Sequence, residues 1–96
     1  MAHTIDREEL EQLIARGEAV VLEALPAAHF DQAHLPGALN LPLDELDDLA
    51  PRLVSDKGQA IVTYCSNTAC SNSEIAAQRL RSLGYRNVRT FPGGKQ

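Results

Sequence analysis

The sequence has 96 residues, 44% of them hydrophobic and 23% charged, a composition typical of one small globular domain spanning residues 1–96. The net charge is −4, and no run of basic residues is dense enough to favour a nucleic-acid partner. No apolar run approaches the roughly 20 residues that span a bilayer, and no signal peptide precedes the acidic residues that begin at Asp6, so we expect a cytoplasmic protein without a membrane partner.

The first helix and the first strand are the clearest elements of the N-terminal half. Asp6 and Glu9 form a capping-box pattern, which predicts a helix over about 7–16 that ends at Gly17. The apolar run 19–22 predicts a strand that is buried on both faces. Weaker patterns then predict one or two helical turns over 27–32, a short strand over 38–41, a short acidic helix over 43–49 that Pro51 interrupts, and one more turn over 52–54.

The C-terminal half contains the second strong strand, over 59–64, where β-branched and aromatic residues favour extended structure. Ser71 and Glu74 form another capping-box pattern and predict a helix that ends at Gly84. A last short strand is expected over 87–91.

Strands that alternate with helices at this spacing predict an α/β fold with a parallel sheet. In such sheets ligands bind beyond the carboxyl ends of the strands. This rule points to the neighbourhoods of Pro26 and Cys65.

The loop after the strand 59–64 carries the candidate chemistry, because Cys65 lies where that strand ends. The residues between Cys65 and the next helix are small: Ser66, Asn67, Thr68, Ala69, Cys70 and Ser71. Small side chains let successive backbone N–H groups turn inward and bind an anion, and the helix adds its positive N-terminal end. Both would stabilise a thiolate or a persulfide at Cys65, which favours covalent sulfur transfer.

A purely structural cysteine fits the same place, since free cysteine is among the most buried residue types, and the loop alone favours neither interpretation. The two cysteines and three histidines of the sequence show no metal-ligand spacing, so we expect neither a metal nor a cofactor. Without a secretion signal, we expect the cysteines to be thiols rather than a structural disulfide.

An ordered set of motifs across nearly the whole chain resembles the single-domain rhodanese family. His34-Leu35-Pro36-Gly37-Ala38 is similar to the family's His-Ile-Pro-Gly-Ala motif. Ile61-Val62-Thr63-Tyr64-Cys65 resembles the strand that presents the catalytic cysteine. Further similar segments are Asn40-Leu41-Pro42, Leu83-Gly84-Tyr85-Arg86-Asn87-Val88 and the pair Gly93-Gly94.

The resemblance implies a three-layer sandwich with a central, mostly parallel five-stranded sheet and helices on both faces. It implies that Cys65 is the catalytic cysteine and that the active-site loop follows it. The implied activity is transfer of sulfur from thiosulfate or another persulfide to a thiol or cyanide. A protein is a further expected acceptor, and we expect a monomer or a weak dimer.

Glu23 and His34 are expected near this site in supporting roles. Glu23 follows the first buried strand, where it would orient a loop or accept a proton; a helix cap or a surface position fits it equally well. His34 is expected to hold the turn before Pro36 by hydrogen bonds.

The sequence departs from the family pattern in three places. Glu23-Ala24-Leu25 stands where many members have Asp-Val-Arg, and the loop after Cys65 has no arginine, so we expect thiosulfate to be a poor donor. Cys70 would either act as a resolving thiol that forms a disulfide with Cys65 and protects it from over-oxidation, or pack under the next helix. The chain ends two residues after Gly94, where members continue into a short helix, so we expect a minimal form that lacks it.

Two other functions stay open at this point. One is a non-catalytic rhodanese-like binding module, and the other is a dithiol redox protein that uses Cys65 and Cys70. The absence of a loop arginine argues against phosphate-ester chemistry, which needs bidentate oxyanion binding.

Overall fold

The computed structural model describes residues 4–32, 34–35, 37–65 and 71–91, without the side chain of His29. Its strands and helices alternate along the chain, as the sequence predicted. They are α1 (Arg7–Arg16), β1 (Ala19–Glu23), α2 (Ala27–Gln32), β2 (Leu39–Asn40), α3 (Leu46–Leu53), β3 (Ala60–Tyr64), α4 (Asn72–Ser82) and β4 (Val88–Phe91), with a 3₁₀ turn (Leu43–Glu45) before α3.

The four strands form one parallel sheet in the order β2-β1-β3-β4, which confirms the predicted α/β fold. The resemblance implied five strands. The described N-terminal residues contribute a single parallel bridge between Thr4 and Thr90 instead, closed by a 2.8 Å hydrogen bond from Ile5 N–H to the Thr90 carbonyl. Within the described residues the sheet therefore has four strands and this one bridge beside β4.

Helix α1 shows how local sequence sets the ends of an element. The Asp6 carboxylate accepts a hydrogen bond from Glu9 N–H at 2.9 Å, which satisfies one of the four N–H groups that a helix leaves unpaired at its start. Gly17 ends the helix with φ 66°, a left-handed conformation that glycine adopts without steric cost. The predicted bounds of α1 are therefore confirmed.

The core lies on both faces of the sheet because side chains alternate along β1 and β3. Leu22 and Ile61 belong to a buried cluster with residues of α3 and α4, such as Ala50 and Leu80. The intervening side chains face a second cluster, which packs against α1 and α2. Its buried members are Ile5, Leu10, Val21, Ala38, Val62, Tyr64 and Phe91.

Two local predictions were wrong. Helix α3 continues through Pro51, because the burial of Leu46 and Ala50 outweighs the one backbone hydrogen bond that proline removes. Beyond Pro51, Val54 N–H still donates to the Ala50 carbonyl at 2.8 Å. At the start of α4, the Ser71 side chain makes no capping hydrogen bond and its backbone is already helical, so the capping box predicted there does not form.

Among the described helices, none combines the length and the apolar character needed to cross a bilayer.

Candidate active site

Cys65 directly follows β3, a central strand of the sheet, at the edge where the carboxyl ends of the parallel strands meet. It is 1% exposed. The alternation of side chains along β3 puts Cys65 on the α4 face, opposite to its neighbour Tyr64. The position is therefore the one that the general rule for parallel sheets assigns to a ligand site.

The sulfur of Cys65 is disulfide-bonded, so the expectation of a thiol was wrong for this residue. The other cysteine of the sequence, Cys70, lies outside the described residues, as do Ser66, Asn67, Thr68 and Ala69. The predicted ring of backbone amides falls on that segment. Because a disulfide sulfur is neither a thiol nor a thiolate, Cys65 would have to be reduced before it could act as a nucleophile.

Side-chain hydrogen bonds tie the start of α4 to the sheet edge beside Cys65. The Thr63 hydroxyl donates to the Ser73 carbonyl at 2.9 Å within the buried interior. Asn72 Nδ2 donates to the Ala24 carbonyl at 3.1 Å. These two contacts link α4 to β3 and to the end of β1, so the positive end of an 11-residue helix is held at the edge that carries Cys65.

Glu23 ends β1 and is fully buried, at 0% exposure. It pairs in register with Tyr64 on β3 and with Asn40 on β2. Its Oε2 accepts a hydrogen bond from the Tyr64 hydroxyl at 3.2 Å. The Glu23 carbonyl accepts from Leu41 N–H at 2.8 Å, so this one residue joins three strand ends.

Tyr64 connects this carboxylate to the segment after α2. Its hydroxyl oxygen accepts a hydrogen bond from Leu35 N–H at 3.0 Å while it donates to Glu23. Burial raises the pKa of Tyr64 well above its ordinary value, the Leu35 N–H lowers it, and the nearby negative charge of Glu23 raises it further. Tyr64 is therefore held in the neutral, hydrogen-donating form.

Two polar side chains fix the segments around this network. His34 Nδ1 donates to the Phe30 carbonyl at 2.9 Å, and the two rings stack with their centroids 3.8 Å apart. Asn40 Nδ2 donates to the Leu25 carbonyl at 2.8 Å. His34 therefore fixes the segment after α2 that contains Leu35. Among the described contacts, this segment is linked to Glu23 by the hydrogen bond from Leu35 N–H to the Tyr64 hydroxyl and by that from the hydroxyl to Glu23.

Sequence reasoning named Glu23 and His34 near the site but missed Tyr64 and Asn72 as residues that support it. A signal for Tyr64 was present, because a tyrosine in a fully buried strand needs a partner for its hydroxyl. No comparable signal existed for Asn72, since its acceptor, the Ala24 carbonyl, is 48 residues away in the chain.

A cavity of about 430 Å³ lies on the other face of the sheet, between α1 and the residues Leu35 and Phe91. Its walls are mostly apolar, with Arg7 and Glu11 as the charged residues among them. Cys65 is absent from its lining. Among the described residues, no group of three His, Cys, Asp or Glu side chains is placed to hold a metal ion.

Comparison with known proteins gives consistent matches. The sequence profile described as the rhodanese-like domain matches residues 6–96. The HTH-type transcriptional regulator Rv0324 of Mycobacterium tuberculosis is 32% identical over 90 residues, which cover 94% of this chain and 38% of that protein. Thiosulfate sulfurtransferase PspE of Escherichia coli is 33% identical over 66 residues, or 69% of this chain and 62% of that protein.

Among solved structures, the human single-domain sulfurtransferase TSTD1 superposes with a TM-score of 0.83 and 28% sequence identity, covering 98% of this chain and 92% of that chain. The chain spans less than two thirds of the length of the mycobacterial regulator and of the bacterial sulfurtransferase.

Proposed function

Because this chain belongs to the family of rhodanese-like domains, we propose that it is a sulfurtransferase that carries one sulfur atom as a persulfide on Cys65. The observation that carries the proposal is the position of Cys65, at the carboxyl end of β3 and beside the anchored start of α4. Further support comes from similar proteins that are named sulfurtransferases.

The reaction has two steps, each a displacement at sulfur. The Cys65 thiolate attacks the outer sulfur of a donor, thiosulfate or another persulfide; the donor's sulfur–sulfur bond breaks, and sulfite or a thiolate leaves. A thiol or cyanide then attacks the outer sulfur of the Cys65 persulfide, and the Cys65 thiolate leaves. A thiol on another protein is an equally competent acceptor.

The start of α4 is proposed to stabilise both anionic forms of Cys65. A helix terminus contributes about 0.3–1 kcal/mol to the binding of a nearby charge, and up to about 2 kcal/mol in partly buried geometry. The backbone N–H groups of residues 66–70, which lie outside the described residues, are proposed to add hydrogen bonds to the outer sulfur, with Ser71 at the helix start. Glu23 and His34 are proposed to support the loop from the opposite face of the sheet.

The disulfide bond at Cys65 has to be reduced before this cycle can start. A reducing compartment such as the cytoplasm would return Cys65 to the thiol. The same bond favours a second candidate function, a dithiol redox protein in which Cys65 and Cys70 are proposed to form a disulfide and to exchange it with an external dithiol.

The formation of thiocyanate from a donor and cyanide separates these functions. We expect Cys65→Ser to abolish thiocyanate formation by the pre-reduced protein and Cys70→Ser to retain it. Reduction of an external disulfide by the pre-reduced protein, lost in both variants, would instead favour the dithiol function. Absence of turnover in the unmodified protein with thiosulfate and with a hydropersulfide would reject the sulfurtransferase, leaving a binding module whose partner affinity Cys65→Ser does not change.

A further inference from the structure

Ala24, the residue that follows β1, fixes the backbone that leads into Cys65. Its N–H donates to the Tyr64 carbonyl at 3.0 Å, and the carbon of that carbonyl is bonded to the Cys65 nitrogen. Ala24 is buried, so this contact is made away from water. The peptide group that carries Cys65 is therefore held against the end of β1.

Asn72, the first residue of α4, binds the other side of the same residue. Its Nδ2 donates to the Ala24 carbonyl at 3.1 Å. Two hydrogen bonds in series therefore connect the start of α4 to the peptide group of Cys65. This connection runs through the end of β1 and does not depend on the segment between Cys65 and Ser71.

A second side-chain contact places the same helical turn on the face of the sheet that carries Cys65. The Thr63 hydroxyl donates to the Ser73 carbonyl at 2.9 Å, and both residues are buried. Thr63 and Cys65 are two positions apart in the sequence, and side chains two apart along extended backbone lie on the same face. The first turn of α4 therefore packs on the Cys65 side of the sheet.

The positive potential at this end of α4 comes from its backbone. The Ser71 side chain makes no capping hydrogen bond, so it does not occupy the N–H groups of the first turn. Those groups have no partner within the helix and carry its positive partial charge. The basic residues Arg79 and Arg81 lie in the last turn, and the acidic residue of the first turn, Glu74, is exposed, where water and salt screen its charge.

We propose that Asn72 is a positioning residue for the sulfur chemistry of Cys65. By binding the Ala24 carbonyl, it keeps the first turn of α4 next to the peptide group of Cys65, where the N–H groups of that turn stabilise the anionic sulfur of the thiolate and of the persulfide. Thr63 supports the same placement through Ser73. The inference rests on the proposed function and adds to it the residue that sets the helix in place.

The thiolate of Cys65 can be measured directly in the pre-reduced Cys70→Ser chain, in which Cys65 is the only cysteine. Its ultraviolet absorbance is recorded against pH, and the chain with both Cys65→Ser and Cys70→Ser supplies the baseline that contains the tyrosines. We expect Asn72→Ala, added to the Cys70→Ser chain, to move the titration midpoint to higher pH. Below the midpoint the thiolate fraction should fall about two- to fivefold, which corresponds to the effect of a helix terminus on a nearby charge.

Asn40→Ala is the matched control. Asn40 Nδ2 donates to the carbonyl of Leu25, the residue after Ala24, at 2.8 Å. The control therefore removes the same kind of hydrogen bond, from an amide to a backbone carbonyl, but one that does not involve α4. We expect it to lower the urea midpoint of unfolding about as much as Asn72→Ala does and to leave the thiolate titration unchanged. Neither variant removes or adds a charge.

An unchanged thiolate midpoint in Asn72→Ala, or an equal rise with Asn40→Ala, would overturn the inference. If Asn72→Ala does not fold, Thr63→Val tests the same placement, because it keeps the side-chain shape and removes the donor to Ser73. We expect it to raise the midpoint too, and an unchanged midpoint there would overturn the inference as well.

These outcomes are distinguishable from a failure of the proposed function, because the titration needs no sulfur donor. A chain that takes up no sulfur from any donor would reject the sulfurtransferase. The thiolate midpoints of the variants would still decide whether Asn72 positions α4 at Cys65.

Discussion

Replacing Tyr64 by phenylalanine removes one hydroxyl and leaves the buried ring in place. That hydroxyl donates to Glu23 Oε2 at 3.2 Å and accepts from Leu35 N–H at 3.0 Å. The change therefore separates the end of β3 from the segment after α2 without creating a large cavity.

The magnitude follows from the two contacts. A hydrogen bond to a charged group contributes about 1.5–3 kcal/mol and a neutral one about 0.5–1.5 kcal/mol. Their sum of about 2–4.5 kcal/mol is a large part of the roughly 5–14 kcal/mol that a chain of this size has in total. Tyr85→Phe is the control, because the Tyr85 hydroxyl donates to a single backbone carbonyl, that of Val54, and we expect it to cost about 1 kcal/mol.

Urea unfolding followed by circular dichroism measures both values, and the pH dependence adds an independent readout. The pKa of Tyr64 is raised above its ordinary value of 10.0 in the folded chain, so the unfolded chain loses this proton first. The stabilisation from neutral Tyr64 is complete below about pH 10 and is lost as the pH rises through the folded pKa. Tyr64→Phe should therefore show a shallower alkaline loss of stability. Two results together would refute this role of the Tyr64 hydroxyl: a loss of unfolding free energy no larger than that of Tyr85→Phe, and an unchanged dependence of stability on pH above 10.

Two further changes test local contacts of the fold. Asp6→Ala removes the cap of α1, the hydrogen bond from Glu9 N–H, and we expect a loss of about 1 kcal/mol in unfolding free energy; Asp6→Asn, which can still accept, should recover most of it, and equal losses in both would contradict a capping role. Arg79→Ala removes both the hydrogen bond to the Leu43 carbonyl and the ion pair with Asp47, so we expect about 1–2 kcal/mol. Asp47→Ala removes only the exposed ion pair and should cost at most about 1 kcal/mol. A larger loss of unfolding free energy than that of Arg79→Ala would contradict a larger contribution from the hydrogen bond to Leu43 than from the ion pair.

Elements that depend on local sequence were predictable here. Helix α1 carries its own start signal at Asp6 and its own stop at Gly17, so its bounds could be predicted without knowledge of the rest of the chain. The strand β1 begins with the apolar run 19–22, which a sheet covered on both faces can bury, and β3 is rich in residues that favour extended structure.

Features that depend on distant contacts were not predictable. Pro51 looks like a helix break in isolation, but tertiary burial of the residues around it keeps α3 intact. Ser71 and Glu74 match a capping box, yet Ser71 makes no capping bond, and the start of α4 is tied instead to carbonyls and hydroxyls of the strands, contributed by residues up to 48 positions away.

The candidate site divides in the same way. The sequence predicted that Cys65 lies at the end of a buried strand before a helix, because such a position can be recognised locally. Its oxidation state could not be inferred, because the formation of a disulfide depends on three-dimensional distances. The connection from Glu23 through Tyr64 to Leu35 joins three separate segments and could be found only from the fold.

The intact mass of the pre-reduced Cys70→Ser chain after exposure to a sulfane-sulfur donor tests the central claim most directly, since Cys65 is then the only cysteine. We predict a gain of one sulfur atom per chain that cyanide removes as thiocyanate and that a reductant also removes, unlike the nearly isobaric sulfinic acid. A chain whose mass stays unchanged with every donor, or whose added mass resists both cyanide and reductant, would contradict a persulfide on Cys65.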